Sequence, residues 1–294
     1  MAQLLENLDT ILSRLPDISL PEFDFVHSSF FRRPDGADTG CKLPSPQEVL
    51  AASGVQPGDK GVWRFPERGL LVKFGHPSRL RLEEALTLRV INQLLPTHQI
   101  PAPEVFGWKS THGPGCESNF IYMSLLPGLT LEAAWETLSH EDKTSVAQQL
   151  AAIVKCLRAV ERDPADQVIG GWSSPPFAPR SWPLNPGEGS LSRGPVQDLY
   201  FSPQFHKGPF ASAQEFHDFV EFISAPWVPM AERLPDPYRP LLLDTVPIFF
   251  SHADLYPANI LVLKSPQGSQ ISISGIVDWE QAGWYPDYWE YCKP

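Results

Sequence analysis

The chain is 294 residues long, enough for one large domain or two closely packed lobes. Its 34 acidic residues against 23 basic ones leave a formal net charge of −11, and no Lys/Arg run offsets it, which argues against a binder of DNA or RNA backbone. A hydrophobic share of 42% excludes wholesale disorder, and four cysteines without CxxC-type spacing exclude a zinc ribbon or a disulfide scaffold.

Leu4, Leu8, Ile11 and Leu15 recur at helical spacing before Pro16, so the chain opens on a short amphipathic helix. Its polar face carries Glu6, Asp9 and Arg14 rather than a basic stripe, which favours packing on its own protein over a membrane surface. Met1 to Leu15 lacks the basic and apolar regions of a signal peptide, and no run approaches roughly 18 apolar residues. A cytoplasmic protein is expected, with no membrane partner.

Residues 21 to 60 read as loop with one short helix near Ser45 to Ser53. Gly61 to Phe65 and Leu70 to Phe74 flank Pro66-Glu67-Arg68-Gly69 and predict a β-hairpin. Arg79 to Leu95 reads as a helix ended by Pro96. Pro101 and Pro103 introduce an extended segment to Gly107, and Phe120 to Leu126 is a buried strand meeting the turn Pro127-Gly128. Ser139 with Asp142 resembles a capping box, opening a helix that places Val146, Leu150, Ile153 and Leu157 on one face.

Between Asp163 and Phe210 nine prolines and six glycines break any long element, so the stretch is a surface insertion or a lid. Ala213 to Phe222 returns to helix. Ile248 to His252, Ile260 to Leu263 and Ile271 to Val277 are strands, the last two joined by a turn at Ser265 to Ser269. The expected division is an extension over 1–60, a strand-rich part over 61–127 and a helical part over 128–294.

Chemistry concentrates late in the chain. Ser251-His252-Ala253-Asp254 runs to Asn259, giving H-x-D-x-x-x-x-N, the spacing of a kinase catalytic loop. There Asp254 is placed to accept a hydroxyl proton, and the Asn259 amide to reach a magnesium ion. Asp278 ends the strand one hairpin later, where a hard carboxylate suits a phosphate-bound magnesium. Glu280 stays open between a metal-linked and a solvated role. Lys73 stands on an apolar strand ahead of a helix carrying Glu83 and Glu84, the arrangement of a Lys–Glu pair on nucleotide phosphates. Periodicity alone does not choose between the two glutamates. A G-x-G-x-x-G loop is missing, and Gly54, Gly58 and Gly61 read as turn residues.

These motifs resemble the aminoglycoside phosphotransferase and choline kinase group, in particular its fungal phosphotransferase branch. The likeness rests on Leu71-Val72-Lys73-Phe74-Gly75, Glu84-Ala85, Ile100-Pro101-Ala102-Pro103 and Met123-Ser124-Leu125-Leu126-Pro127-Gly128. It continues through Ser251-His252-Ala253-Asp254, Asn259-Ile260-Leu261-Val262, Ile276-Val277-Asp278-Trp279-Glu280 and Tyr288-Trp289-Glu290-Tyr291.

The resemblance implies an α+β, protein-kinase-like fold of two lobes, strand-rich then mainly helical. It implies ATP and Mg2+ as cofactors and a hydroxyl of a small molecule (an amino-sugar, amino-alcohol or secondary metabolite) as acceptor. By the same resemblance Glu84 pairs with Lys73, and Met123, Ser124 and Leu126 line the adenine hinge. His252 braces the catalytic loop, Asp254 is catalytic, and Asn259 with Asp278 holds the metal. Ala253 stands where relatives carry glycine.

The sequence ends at Pro294, sixteen residues after Asp278, where relatives continue into further helices. That leaves no room for a protein-kinase activation segment and predicts an exposed apolar patch at Trp284 and Trp289. It also keeps a second reading open, a catalytically impaired kinase-like binding or scaffold protein. Acids such as Glu188, Asp198, Glu215 and Asp218 read as surface charge rather than as an acceptor site.

Overall fold

The computed structural model describes residues 8–95, 99–113, 117–161, 165–173, 192–201, 205, 207–265 and 270–293. Leu4, Glu6, Pro96, Cys116, Glu188 and the tip of the turn expected at Ser265 to Ser269 lie outside the described residues. The chain divides into two compact units. One comprises Met1–Ile153 with Pro257–Glu280, the other Val154–Tyr256 with Gln281–Pro294.

The first unit begins with α1 (Leu8–Ser13) and β1 (Glu22–Asp24). Helix α2 (Pro46–Ser53) is opened by a complete capping box: the Glu48 amide donates to Ser45 Oγ and the Ser45 amide to Glu48 Oε2. Strands β2 (Gly61–Phe65) and β3 (Leu70–Gly75) form the expected hairpin, with Gly61 opposite Phe74 and Phe65 opposite Leu70. The connecting turn closes on Gly69, whose left-handed φ of 57° favours glycine.

Helix α3 (Glu83–Leu94) starts later than the sequence predicts. Before it, the amides of Arg79 and Leu80 bond back to His76, a turn that buries Leu80 and Leu82 ahead of the first helical residue. Strands β4 (Val105–Thr111) and β5 (Ser118–Ser124) complete an antiparallel sheet of order β1-β4-β5-β3-β2. Leu70, Val72 and Phe74 alternate onto one face and pack with Phe106, Phe120 and Val49 in a fully buried core.

Strand β6 (Leu129–Thr130), α4 (Leu131–Ala134) and α5 (His140–Arg158) follow. Ser139 and Asp142 exchange the two bonds of a capping box at the start of α5. In the second unit come β7 (Gly170–Ser173), β8 (Ser192–Gly194), α6 (Ala213–Ser224) and β9 (Ile248–Ser251). The chain then re-enters the first unit with β10 (Ile260–Lys264) and β11 (Ile271–Ile276). Strand β12 (Gly283–Pro286) and α7 (Trp289–Cys292) end the second unit.

Two differences from the sequence reading have a physical cause. The units do not part at Pro127-Gly128, because β6, just after that turn, pairs with β10 (Thr130 opposite Leu261) in a sheet of order β11-β10-β6. Gln149 of α5 bonds to the same sheet through Ile271 and Ile273.

The second unit also carries a sheet, of order β8-β7-β12-β9, beside its helices. Its inner strands touch through glycine: a Cβ on Gly283 would lie 2.7 Å from the Gly170 carbonyl oxygen. Neither Gly-Gly-Trp nor Trp-Tyr-Pro shows the period-two alternation that marks a strand in sequence.

The aromatic end of the chain is not an exposed patch. Trp289 is 7% exposed and Tyr285 fully buried, their rings stacked at 5.5 Å, with Phe201 and Phe216 against Trp289. The Trp289 indole donates to Asp198 at 2.9 Å. Trp284 packs edge-on against Phe250. Val196, Phe201, Phe210 and α6 supply the covering residues, which composition alone does not reveal. The fold is α+β, and no helix among the described residues is long and apolar enough to cross a membrane.

Candidate active site

In the first unit β3 carries Lys73 almost fully buried, and its ammonium meets three carboxylates. Nζ lies 2.9 and 2.7 Å from the two oxygens of Glu84, 2.6 Å from Asp278 Oδ1 and 3.9 Å from Glu280 Oε2. Helix α3 presents Glu84 inward at 2% exposure, whereas Glu83 pairs with Arg81 at 2.9 Å. Burial alone would pull the Lys73 ammonium down, but the Glu84, Asp278 and Glu280 carboxylates outweigh it and hold the pKa above its ordinary value. Burial pushes the Glu84 carboxyl up, opposed by Lys73.

Three carboxylates share one buried ammonium, so the cluster holds more negative than positive charge.

The hairpin of β10 and β11 delivers two of the other candidates together. Ile260 pairs with Ile276, and the Val277 amide donates to the Asn259 carbonyl at 2.9 Å, so Asn259 and Asp278 stand side by side at the open end of the ladder. Asp278 has a left-handed backbone, φ 66°, a conformation a short acidic side chain tolerates better than most. Carboxylate oxygens of Glu84, Asp278 and Glu280 lie within 4.8 Å of one another. Hard oxygens gathered this closely, with uncompensated negative charge, fit a magnesium ion.

Met123 is buried in β5 opposite Leu71, and Ser124 follows it opposite Leu70. The Ser124 amide donates to the Glu104 carbonyl at 2.8 Å, while its hydroxyl accepts from the Glu104 amide at 2.9 Å. The Leu125 amide bonds to Gly69. The Leu126 side chain lies against Gly275, where an added Cβ would come within 2.8 Å of it. The segment is thus pinned on both sides.

Asp254 belongs to the second unit and is half-buried. Its amide donates to Nδ1 of the fully buried His252 at 3.2 Å, which fixes that nitrogen as an acceptor. The backbone amides of His252 and Ala253 both donate to the Glu290 carboxylate, at 2.8 and 3.1 Å. Ala253 adopts φ 63° and is completely buried, a left-handed turn taken without the help of glycine. Burial pushes Glu290 up to about 6, although the two amides pull it down.

Sequence reasoning assigned no role to Glu290 or to Lys60, whose ammonium lies 3.3 Å from Glu280 Oε1. The signal for Glu290 was a single acid inside an aromatic run; for Lys60 there was none.

Residues 62–290 match the model of the phosphotransferase enzyme family. Among solved structures, aminoglycoside phosphotransferase APH(4)-Ia is similar over 83% of this chain and 73% of its own, at 14% identity and a TM-score of 0.44. A thermostable mutant of it in ternary complex with ADP and hygromycin B has the same coverage and identity, with a TM-score of 0.45. A further mutant complex, with AMP-PNP and hygromycin B, reaches 15% identity over 84% of this chain and 75% of that one, TM-score 0.44. No curated protein matches the chain.

Proposed function

The chain belongs to the phosphotransferase enzyme family, and on that premise we propose that it moves the terminal phosphoryl group of ATP to a hydroxyl of a small molecule. The observation that carries the proposal is the Lys73 ammonium set among Glu84, Asp278 and Glu280. That cluster has a cation for nucleotide phosphates and an excess of carboxylate for a metal.

In this reading Asp254 orients the acceptor hydroxyl and takes its proton as the new O–P bond forms and the bridging O–P bond to ADP breaks. Glu84 holds Lys73 in place so that its ammonium can meet phosphate oxygens without searching for a rotamer. Asn259 and Asp278 hold Mg2+, which when bound neutralises phosphate charge. Met123, Ser124 and Leu126 line the adenine edge, with the Ser124 carbonyl and Leu126 amide facing the base. His252 and Glu290 keep the backbone around Asp254 fixed. The part over 61–127 thus serves as the nucleotide clamp. A small amine-bearing alcohol, such as an amino-sugar or amino-alcohol, is the acceptor class first to be tried.

The test is acceptor-dependent ADP release with Mg2+ and ATP across amino-sugars, amino-alcohols and neutral polyols. Release above the acceptor-free rate with any of them supports the reading. Magnesium-dependent nucleotide binding without release over the whole panel would instead favour a kinase-shaped binding protein.

A further inference from the structure

Lys60 stands at the entrance of β2, outside every motif that the sequence singles out. Its backbone is fixed: a Cβ on Gly75, two residues beyond Lys73, would lie 3.1 Å from Lys60 Cα. The loop before it is tied down twice, by the Gly58 carbonyl accepting from the His76 amide at 3.2 Å and the Gly58 amide donating to Ser118 Oγ at 2.9 Å. From this base the side chain reaches the carboxylate cluster, with Nζ 3.3 Å from Glu280 Oε1 while Glu280 Oε2 lies 3.9 Å from Lys73 Nζ. Glu280 therefore bridges two ammonium groups. One is buried; the other side chain is 39% exposed.

We infer that Lys60 is a second phosphate-contacting lysine, whose ammonium leaves Glu280 for the phosphate oxygens of a bound nucleoside triphosphate. This inference rests on the proposed phosphoryl-transfer reading. Three observations carry it. The chain has no G-x-G-x-x-G loop whose amides could cradle phosphates, so another donor must serve. The Lys60–Glu280 pair is part-exposed, a class that contributes little, so it exchanges readily. Charge-assisted bonds to phosphate are stronger than such a pair, which gives the exchange its direction. Lys73, locked between Glu84 and Asp278, lacks that freedom, so the two lysines divide the work between a fixed cation and a movable one.

The experiment titrates the full chain and its Lys60→Ala and Lys60→Arg variants with adenosine, with Mg2+ alone, and with magnesium AMP-PNP. Lys60→Ala should weaken AMP-PNP binding roughly tenfold or more, the scale of one lost charge-assisted bond. Adenosine affinity should stay unchanged, and Lys60→Arg should recover most of the loss.

AMP-PNP binding equal to the parent's would overturn the inference, as would an equal loss for adenosine, which marks a general disturbance of the lobe. Tighter Mg2+ binding by Lys60→Ala with no loss of AMP-PNP would make Lys60 a counter-ion to Glu280 and also overturn it. If the parent binds neither nucleotide ligand, the phosphoryl-transfer reading itself fails and takes this inference with it.

Discussion

Replacing Lys73 by methionine leaves Glu84, Asp278 and Glu280 facing one another without the ammonium that now separates them. Removing one partner of a buried ion pair costs ~3–5 kcal/mol, because the uncompensated charge stays buried. We expect Lys73→Met to lower unfolding stability by that order in chemical denaturation, and to abolish nucleotide binding; stability equal to the parent's would contradict the buried-cluster account.

Asp254 and Asp278 should separate cleanly. Asp254→Asn keeps nucleotide affinity but slows turnover by about 100-fold or more, the usual scale for a lost general base. Asp278→Ala removes the carboxylate that the proposed reading pairs with Asn259 on the metal, so the response of nucleotide binding to magnesium should weaken sharply. Calorimetric titration with and without Mg2+ reads the second, steady-state kinetics the first. Unchanged turnover in the former, or an unchanged magnesium effect in the latter, would remove the corresponding role.

At the scale of elements, α7 matters beyond its single turn. It carries Glu290, which binds the amides of His252 and Ala253, and Trp289, which fills the core of the second unit. Glu290 is pushed up to about 6 from an ordinary 4.5, so the folded protein keeps a proton that the unfolded chain releases. Its contribution is present below pH 4.5 and is lost as the pH rises through 6, a change of about 2 kcal/mol. Glu290→Gln cannot titrate. Denaturation at pH 4.5 and 6.5 should show the variant gaining on the parent by that order as the pH rises; parallel pH dependences would refute the assignment. Trp289→Ala opens a cavity among Phe201, Phe216 and Tyr285 and should cost ~3–5 kcal/mol. A loss under 1 kcal/mol, about that of a surface residue, would contradict its burial.

Across the whole molecule the chain passes between its units three times, at residues 153, 256 and 280. Lys73, Glu84, Asn259, Asp278 and Glu280 fall in the first unit and Asp254 in the second. A ligand that binds only the folded protein stabilises it by mass action, about 2.7 kcal/mol at a hundred times its dissociation constant. Magnesium AMP-PNP should therefore raise the thermal midpoint of the parent and of Asp254→Asn alike, and raise that of Asp278→Ala little more than AMP-PNP without magnesium does. A shift lost in Asp254→Asn would place nucleotide binding on the second unit as well.

What the sequence determined by itself is local. The β2–β3 hairpin, the caps at Ser45 and Ser139, and the strand-turn-strand that sets Asn259 beside Asp278 all follow from residues a few positions apart, where turn chemistry and register leave little choice. Family motifs extended that reading to Glu84, although helix spacing alone could not separate it from Glu83.

The tertiary structure decided the rest. Which α3 glutamate turns inward depends on how the helix lies against the sheet. Glu290 reaches the His252 amide from 38 residues away. Trp289 is buried because α6 with Val196, Phe201 and Phe210 packs around it, and β12 pairs with β7 where glycines admit a close backbone. Each of these rests on contacts between segments distant in the chain, whose geometry is set by packing and leaves no periodic trace in either segment.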